Sequence, residues 1–450
     1  MNNRTTPAPE AQEGWHTERG LASLPEVHRS IQIPKDADFW KTLFAFAGPG
    51  LMVAVGYMDP GNWATDLAGG AQFGYLLLSV ILISNLMAIL LQHLSLKLGI
   101  VTGRDLAQAC RDHYSRPVTF ILWILCEIAI AACDLAEVIG SAIALHLLFG
   151  IPVTVGVIIT AADVFIVLFL QHRGFRYIEA LIATLIFVIA ACFAYELLIA
   201  QPSISAILGG LVPSTEIVFN PSALYIAIGI LGATVMPHNL YLHSSIVQTR
   251  AIEPTEEGKR QAIKFATIDS TASLLFAFLI NAAILILSAA TFHGTAYENV
   301  ADINDAYQLL TPVLGATFAS TFFAVALLAS GQNSTLTGTL AGQIVMEGFL
   351  RIRMRPWLRR IITRMIAIIP AVIVSTLYGD RGTGELLVLS QVILSLQLSF
   401  AVVPLVQFTS EKAKMGVFAN TRLMQIVAWA VALLIMGLNI YLLYQTFFGA

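Results

Sequence analysis

Asp59-Pro60-Gly61-Asn62 lies inside an apolar stretch running from about Leu43 to Leu67. A carboxylate within a membrane-length apolar stretch costs about 3 kcal/mol on insertion scales, so it marks a functional site by default. Proline has no backbone N–H, so Pro60 leaves the carbonyl of Gly56 without its helical partner. A second stretch, Met236-Pro237-His238-Asn239, repeats the pattern between about Ser222 and Val247, and Pro237 frees the carbonyl of Ala233. Broken helices at membrane depth line cavities, and their freed carbonyls bind cations. The groups on offer are a hard anionic oxygen from Asp59, an amide oxygen from Asn62, two neutral carbonyls and the soft sulfur of Met236. Oxygen alone suits Mg²⁺ and Ca²⁺, whereas added thioether shifts preference toward softer metals. The mixture points to Mn²⁺ or Fe²⁺, with Cd²⁺, Co²⁺ and Zn²⁺ as companions. The plainer readings are a pair of proline kinks and a methionine that only fills core space. Polar side chains at both breaks argue against them, because a bend alone does not require such groups.

The rest of the chain is built to hold such breaks in a bilayer. Of 450 residues, 57% are hydrophobic and 12% charged, about half the charge of soluble domains. This excludes a soluble enzyme, and the net charge of −3 identifies no partner. Residues 1–41 form a polar tail with no early apolar core, expected to be disordered or to lie on the cytoplasmic surface. Eleven apolar segments follow, at about 43–69, 74–99, 118–148, 152–171, 176–200, 222–249, 263–292, 313–349, 357–378, 384–408 and 423–447, each near the length needed to span. Alternate connections carry 24 of the 25 Lys and Arg residues. By the positive-inside rule the N-terminus is cytoplasmic and the C-terminus external, in a multi-pass protein of the cell's inner (plasma) membrane. The breaks fall in spans 1 and 6, which cross in opposite directions. The fold class expected is an all-α membrane protein of eleven transmembrane helices. It comprises a five-plus-five inverted repeat (42–200 and 221–408), a cytoplasmic connection and an extra helix (409–450). Cys110, Cys126, Cys133 and Cys192 form no C-x-x-C pair and read as small buried hydrophobes.

Span 3 carries Glu127, Asp134 and Glu137. At 100° per residue these share one stripe, and acids on one intramembrane stripe suggest a proton relay. Arg359 and Arg360, at the start of span 9, are their natural cytoplasmic partners. A buried structural ion-pair network is the competing reading. His238 follows Met236 by two residues and can titrate or bind metal. His243 divides between a satisfied buried polar residue and a part in an inner gate or proton path. Asp163 in span 4 and Asn281 in span 7 have no assignable role from sequence.

These residues resemble the natural resistance-associated macrophage protein (Nramp) family of proton-coupled divalent metal transporters. The likeness includes both break motifs, Thr102-Gly103-Arg104, Asp134-Leu135-Ala136-Glu137, Leu240-Tyr241-Leu242-His243-Ser244 and Ala329-Ser330-Gly331-Gln332. It implies a leucine-transporter-like fold with helices 1 and 6 unwound at the midplane. It also implies metal ligation by Asp59, Asn62 and Met236, with the carbonyls of Ala233 and Gly56 joining in different states. Gln391 matches a family glutamine that approaches the metal during occlusion. His238 falls on the family's proton route, and the Arg359–Arg360 pair is proposed there to meet the span-3 acids. No cofactor, nucleic acid or obligatory protein partner is expected, and the protein is expected to work as a monomer in the lipid bilayer, carrying metal ions and protons.

Three other classes are weighed against this. A sodium-coupled amino-acid transporter on the same scaffold would place Asp59 against a substrate carboxylate. A magnesium-selective relative would depart at Met236, which this chain keeps. A di-iron membrane enzyme would need clustered histidines, and the nine here are scattered.

Overall fold

Proline sets where the central helices begin. In the computed structural model, which describes residues 14–17, 20–34, 38–160, 175–297, 303–315, 318–352 and 355–448, the first apolar stretch is three helices. These are α1 (Phe39–Phe46), α2 (Pro49–Gly56) and α3 (Pro60–Phe73). The α1/α2 joint bends by 46° at Ala47-Gly48, where Gly48 has φ 133°, a conformation that favours glycine. Between α2 and α3, Asp59 is extended and Pro60 takes the first helical position, where its missing N–H costs nothing.

The chain continues with α4 (Leu78–Thr102), α5 (Leu106–His113), α6 (Arg116–Phe149), α7 (Val153–Thr160), α8 (Phe175–Ala200), α9 (Ile204–Gly210) and α10 (Glu216–Phe219). The second broken segment is α11 (Pro221–Thr234) and α12 (Pro237–Ile246). Val235 and Met236 between them are non-helical, and Pro237 again starts the new helix. Then come α13 (Glu256–Phe292), α14 (Ile303–Leu314), α15 (Ala319–Leu350), α16 (Pro356–Ser410), α17 (Lys412–Met415) and α18 (Arg422–Phe448). Among the described residues the only β pairing is an isolated bridge between Ile31 and Arg250.

Among the described residues, seven helices are long and apolar enough to cross a membrane, or eight if the bent α1–α2 pair counts as one. The shortfall against eleven expected spans has local causes. Span 1 is broken. Span 4 is described only to Thr160. Span 8 corresponds to α15, whose Ser, Thr, Asn and Gln content lowers its hydropathy. Spans 9 and 10 are joined: the sequence reading separates them at 379–383, whereas α16 is helical throughout. No proline lies in 379–383, so nothing in the backbone forces a stop there. A 55-residue helix would run about 80 Å if straight, far beyond the hydrocarbon thickness. Its Gly384–Ser410 part is the membrane candidate.

The broken helices sit at the centre. α3 packs on α13 and α11, while α6 packs on α15 and α16. Nearly every residue of α2, α3, α11 and α12 is buried. The four cysteines are free and buried, as their setting suggests. The described part of the tail lies against the helix ends, with Trp15 packed on Phe408 and Leu24 buried. The Ser23 hydroxyl donates to Asp105 at 2.7 Å, and the Leu24 N–H donates to Glu347 at 3.1 Å.

Candidate metal centre

Asp59 caps α3, its Oδ1 accepting from the Asn62 N–H at 2.8 Å. This cap follows from the order Asp-Pro-x-Asn, since an N-cap carboxylate reaches the N–H three residues on. The same helical turn brings the Asn62 side chain back over the break. Its amide nitrogen donates to Asp59 Oδ1 at 2.7 Å, to the Gly56 carbonyl at 3.3 Å and to the Ala233 carbonyl at 3.1 Å. Three oxygens from two broken helices thus converge on one point. Both carbonyls are those that Pro60 and Pro237 release. Rotating the Asn62 carboxamide by half a turn would present its oxygen to the same point. Asp59 Oδ2 has no hydrogen-bond partner among the described residues, although Asp59 is fully buried.

Met236 is fully buried, and its sulfur faces Gly56 closely enough that a methyl group there would come within 3.1 Å. Gln391, on α16, lies across Gly61 so tightly that any side chain at Gly61 would collide with its amide. Its Oε1 is buried with no partner among the described residues. All six sequence-expected ligand residues, Asp59, Asn62, Met236, Ala233, Gly56 and Gln391, therefore surround the two breaks.

The acidic stripe is assembled only in part. Asp134 and Glu137 are buried and both face Gly338 of α15. His238 reaches the stripe through Cys133, whose sulfur lies 3.8 Å from His238 Nε2 and 3.6 Å from Glu137 Oε1. Glu127 lies two turns away, half-buried, accepting from Trp123 Nε1 at 3.0 Å. His243 is separate from His238: its Nδ1 meets Gln92 Oε1 at 3.0 Å, and Gln92 Nε2 donates to the Tyr57 hydroxyl at 3.1 Å. The side chains of Arg359 and Arg360, and the whole of Asp163, lie outside the described residues.

Sequence reasoning missed several participants. Cys133 looks like a small hydrophobe until α6 is set beside α12. Asn281 on α13 donates to Asn62 Oδ1 at 3.3 Å, a contact no local pattern reveals. Asp66 follows Asp59 by seven residues, and that spacing was the available signal. A clamp on the α1/α2 joint was also invisible. Arg250 donates to Glu179 at 2.8 Å and to the Ala47 carbonyl at 2.6 Å, and Arg176 donates to Glu179 at 2.9 Å and to the Ala47 carbonyl at 2.7 Å. Asp269 accepts from the Gly50 N–H at 2.7 Å on the other side of the bend. Burial lowers the Arg250 pKa from its usual value, opposed by the charge and hydrogen bond of Glu179.

Apolar helices that enclose two breaks and a buried set of converging carboxylate and carbonyl oxygens define an all-α membrane transporter, not an enzyme. The family model described as natural resistance-associated macrophage protein-like matches residues 50–445, and the chain belongs to that family. It is 64% identical over 435 residues to the divalent metal cation transporter MntH of Listeria innocua, covering 97% of each chain. Its structure is similar to that of the Eremococcus coleocola manganese transporter, with a TM-score of 0.87 at 45% identity over 93% of this chain and 90% of that one. Mhp1, a nucleobase-cation-symport-1 family transporter, shares the fold at 16% identity and a TM-score of 0.59, covering 89% of this chain and 93% of Mhp1.

Proposed function

We propose that this protein imports divalent transition metals, Mn²⁺ and Fe²⁺ foremost and Cd²⁺, Co²⁺ and Zn²⁺ besides, together with protons. The observation that carries the reading is the convergence of Asp59 Oδ1 and the Gly56 and Ala233 carbonyls on the Asn62 amide. An amide N–H₂ held by three oxygens occupies the place a cation would take. Asp59, Asn62, Met236 and the Ala233 or Gly56 carbonyl hold the ion, and Gln391 closes over it. The sulfur of Met236 disfavours Ca²⁺ and Mg²⁺, which accept oxygen ligands. Relatives named as divalent metal and manganese transporters support the same cargo.

The proton travels on a partly separate route. Metal binding requires Asp59 as a carboxylate, so arrival of the ion displaces a proton. His238, Asp134 and Glu137 receive it, with Arg359 and Arg360 on the cytoplasmic side. Glu127 and His243 are the outlying members of this set. The arrangement His238–Cys133–Glu137 favours this path. The protein sits in the plasma membrane with its N-terminus in the cytoplasm, as the alternation of basic connections indicates, and it works as a monomer.

The test is Mn²⁺ uptake into proteoliposomes with internal pH recorded. Wild type is expected to carry Mn²⁺ and acidify the lumen, and Asp134→Asn with Glu137→Gln to uncouple proton flux from metal. Mn²⁺ uptake without acidification would remove proton coupling. Wild-type proton flux in the double variant would remove the relay.

A further inference from the structure

Asp66 is 1% exposed, and neither of its carboxylate oxygens has a hydrogen-bond partner among the described residues. Leaving a buried carboxyl unsatisfied is costly, and leucine or asparagine would lessen the cost. Its position suggests what offsets that cost. Asp66 follows Asp59 by seven residues of α3, so it lies on the same face, about 10 Å further along the helix. It is close enough for the charge of Asp59 to act on it.

The neighbouring helix supplies a second unsatisfied oxygen. Asn281 of α13 donates its amide N–H to Asn62 Oδ1, while its own Oδ1 is buried with no partner among the described residues. Two turns further along α13, Ser288 donates to the Leu67 carbonyl at 2.6 Å. Residues 62–67 of α3 therefore run beside residues 281–288 of α13, and Asp66 falls within that stretch. α3 leads from the candidate metal centre toward the connection near Gly74, which has no Lys or Arg.

The geometry points to a staging site for a divalent cation, formed by the Asp66 carboxylate and the Asn281 carbonyl oxygen on the outer approach to Asp59. The inference rests on the metal-import reading above. The site offers only oxygen and no sulfur, so it collects hydrated divalent cations without discriminating among them. Selection is left to Met236, one step further in. A carboxylate there raises the local cation concentration before the ion sheds water at Asp59.

Two measurements test this. In proteoliposomes, Asp66→Asn is expected to raise the KM for Mn²⁺ about tenfold while holding the maximal rate within about twofold, and Asp66→Glu to recover most of the affinity. An unchanged KM, or a fall in maximal rate alone, would overturn the staging site. The second measurement needs no folded Asp66 variant. Calorimetric titration of detergent-solubilised Asp59→Ala with MnCl₂ is expected to show one residual Mn²⁺, bound at least about tenfold more weakly than in wild type. No residual binding overturns the proposal. Wild type that carries no Mn²⁺ at all would remove the import reading instead, and the staging site with it.

Discussion

The side-chain nitrogen of Asn62 lies 3.1 Å from the carbonyl oxygen of Ala233, 171 residues away in sequence. That contact joins the two broken helices across the point where Asp59 and Gly56 also converge. The join uses an amide that can present either face, so the same residue can tie the helices together or offer oxygen to an ion. Asn62→Asp keeps an oxygen, and Asn62→Ala keeps neither oxygen nor nitrogen. Mn²⁺ uptake should fall at least about tenfold in Asn62→Ala, the loss expected when one oriented ligand of a metal is removed. Asn62→Asp should retain measurable uptake. Equal loss in both variants would assign Asn62 to the helix junction rather than to the ion.

Met236 brings its buried sulfur against Gly56 at the first break, where the proposed oxygen ligands converge. If it filters by softness, its loss affects which ions are admitted more than how many. Met236→Ala is expected to keep Mn²⁺ uptake within about tenfold of wild type and to gain competition or transport by Ca²⁺, since the other proposed ligands are all oxygen. Uptake of Mn²⁺ assayed across rising Ca²⁺ reads this directly. Unchanged Ca²⁺ rejection would leave Met236 as packing against Gly56.

The breaks were legible because they are local. Proline fixes its own helix start, and the released carbonyl four residues back is a matter of counting. Asp59, Asn62, Gly56, Ala233 and Met236 could all be placed that way. Asp134 and Glu137 were legible because one turn of helix separates them. What could not be read depends on which helices lie side by side. Cys133 matters only because α6 meets α12, and Asn281 only because α13 runs along α3. Glu179, Arg250 and Asp269 gain meaning only once the α1/α2 joint is folded between them. The continuous α16 was missed for the opposite reason. Gly379 and Gly382 in 379–383 weaken a helix, but no proline there forces it to end.

Gly61 is held against Gln391 with no room for a methyl group. Gly61→Ala must therefore push the glutamine aside and move its amide away from the first break. Uptake of Mn²⁺ should fall sharply, while Gln391→Ala, which removes the obstruction, should relieve the packing clash in the double variant. Thermal stability compared across the single and double variants separates the two effects. If Gly61→Ala is no less stable than wild type, Gln391 yields to the added methyl without cost. If the double variant regains stability but not uptake, the glutamine itself is needed for transport.

Asp105 lies outside the membrane-spanning helices, buried beneath the N-terminal tail. Burial raises its pKa from 3.8 to about 6, against the hydrogen bonds of Ser23 and Gln108 and the nearby charge of Arg111. A carboxyl whose folded pKa is raised binds its proton more tightly in the folded state. The folded protein therefore loses stability as pH climbs from about 4 to 6, and the loss is complete above that range. Asp105→Asn keeps an oxygen for the Gln108 N–H, puts an amide N–H₂ that can donate to the Ser23 hydroxyl oxygen in place of the second carboxylate oxygen, and has no charge to bury. It should match or exceed wild-type thermal stability at pH 7.5 and show a shallower downward slope between pH 4 and 6. Asp105→Ala forfeits the cap of α5 as well, a loss of about 1 kcal/mol, so its gain at pH 7.5 should be smaller than that of asparagine. Unfolding temperature measured across this pH range in all three proteins decides it. A slope in Asp105→Asn equal to that of wild type would place the titrating group elsewhere.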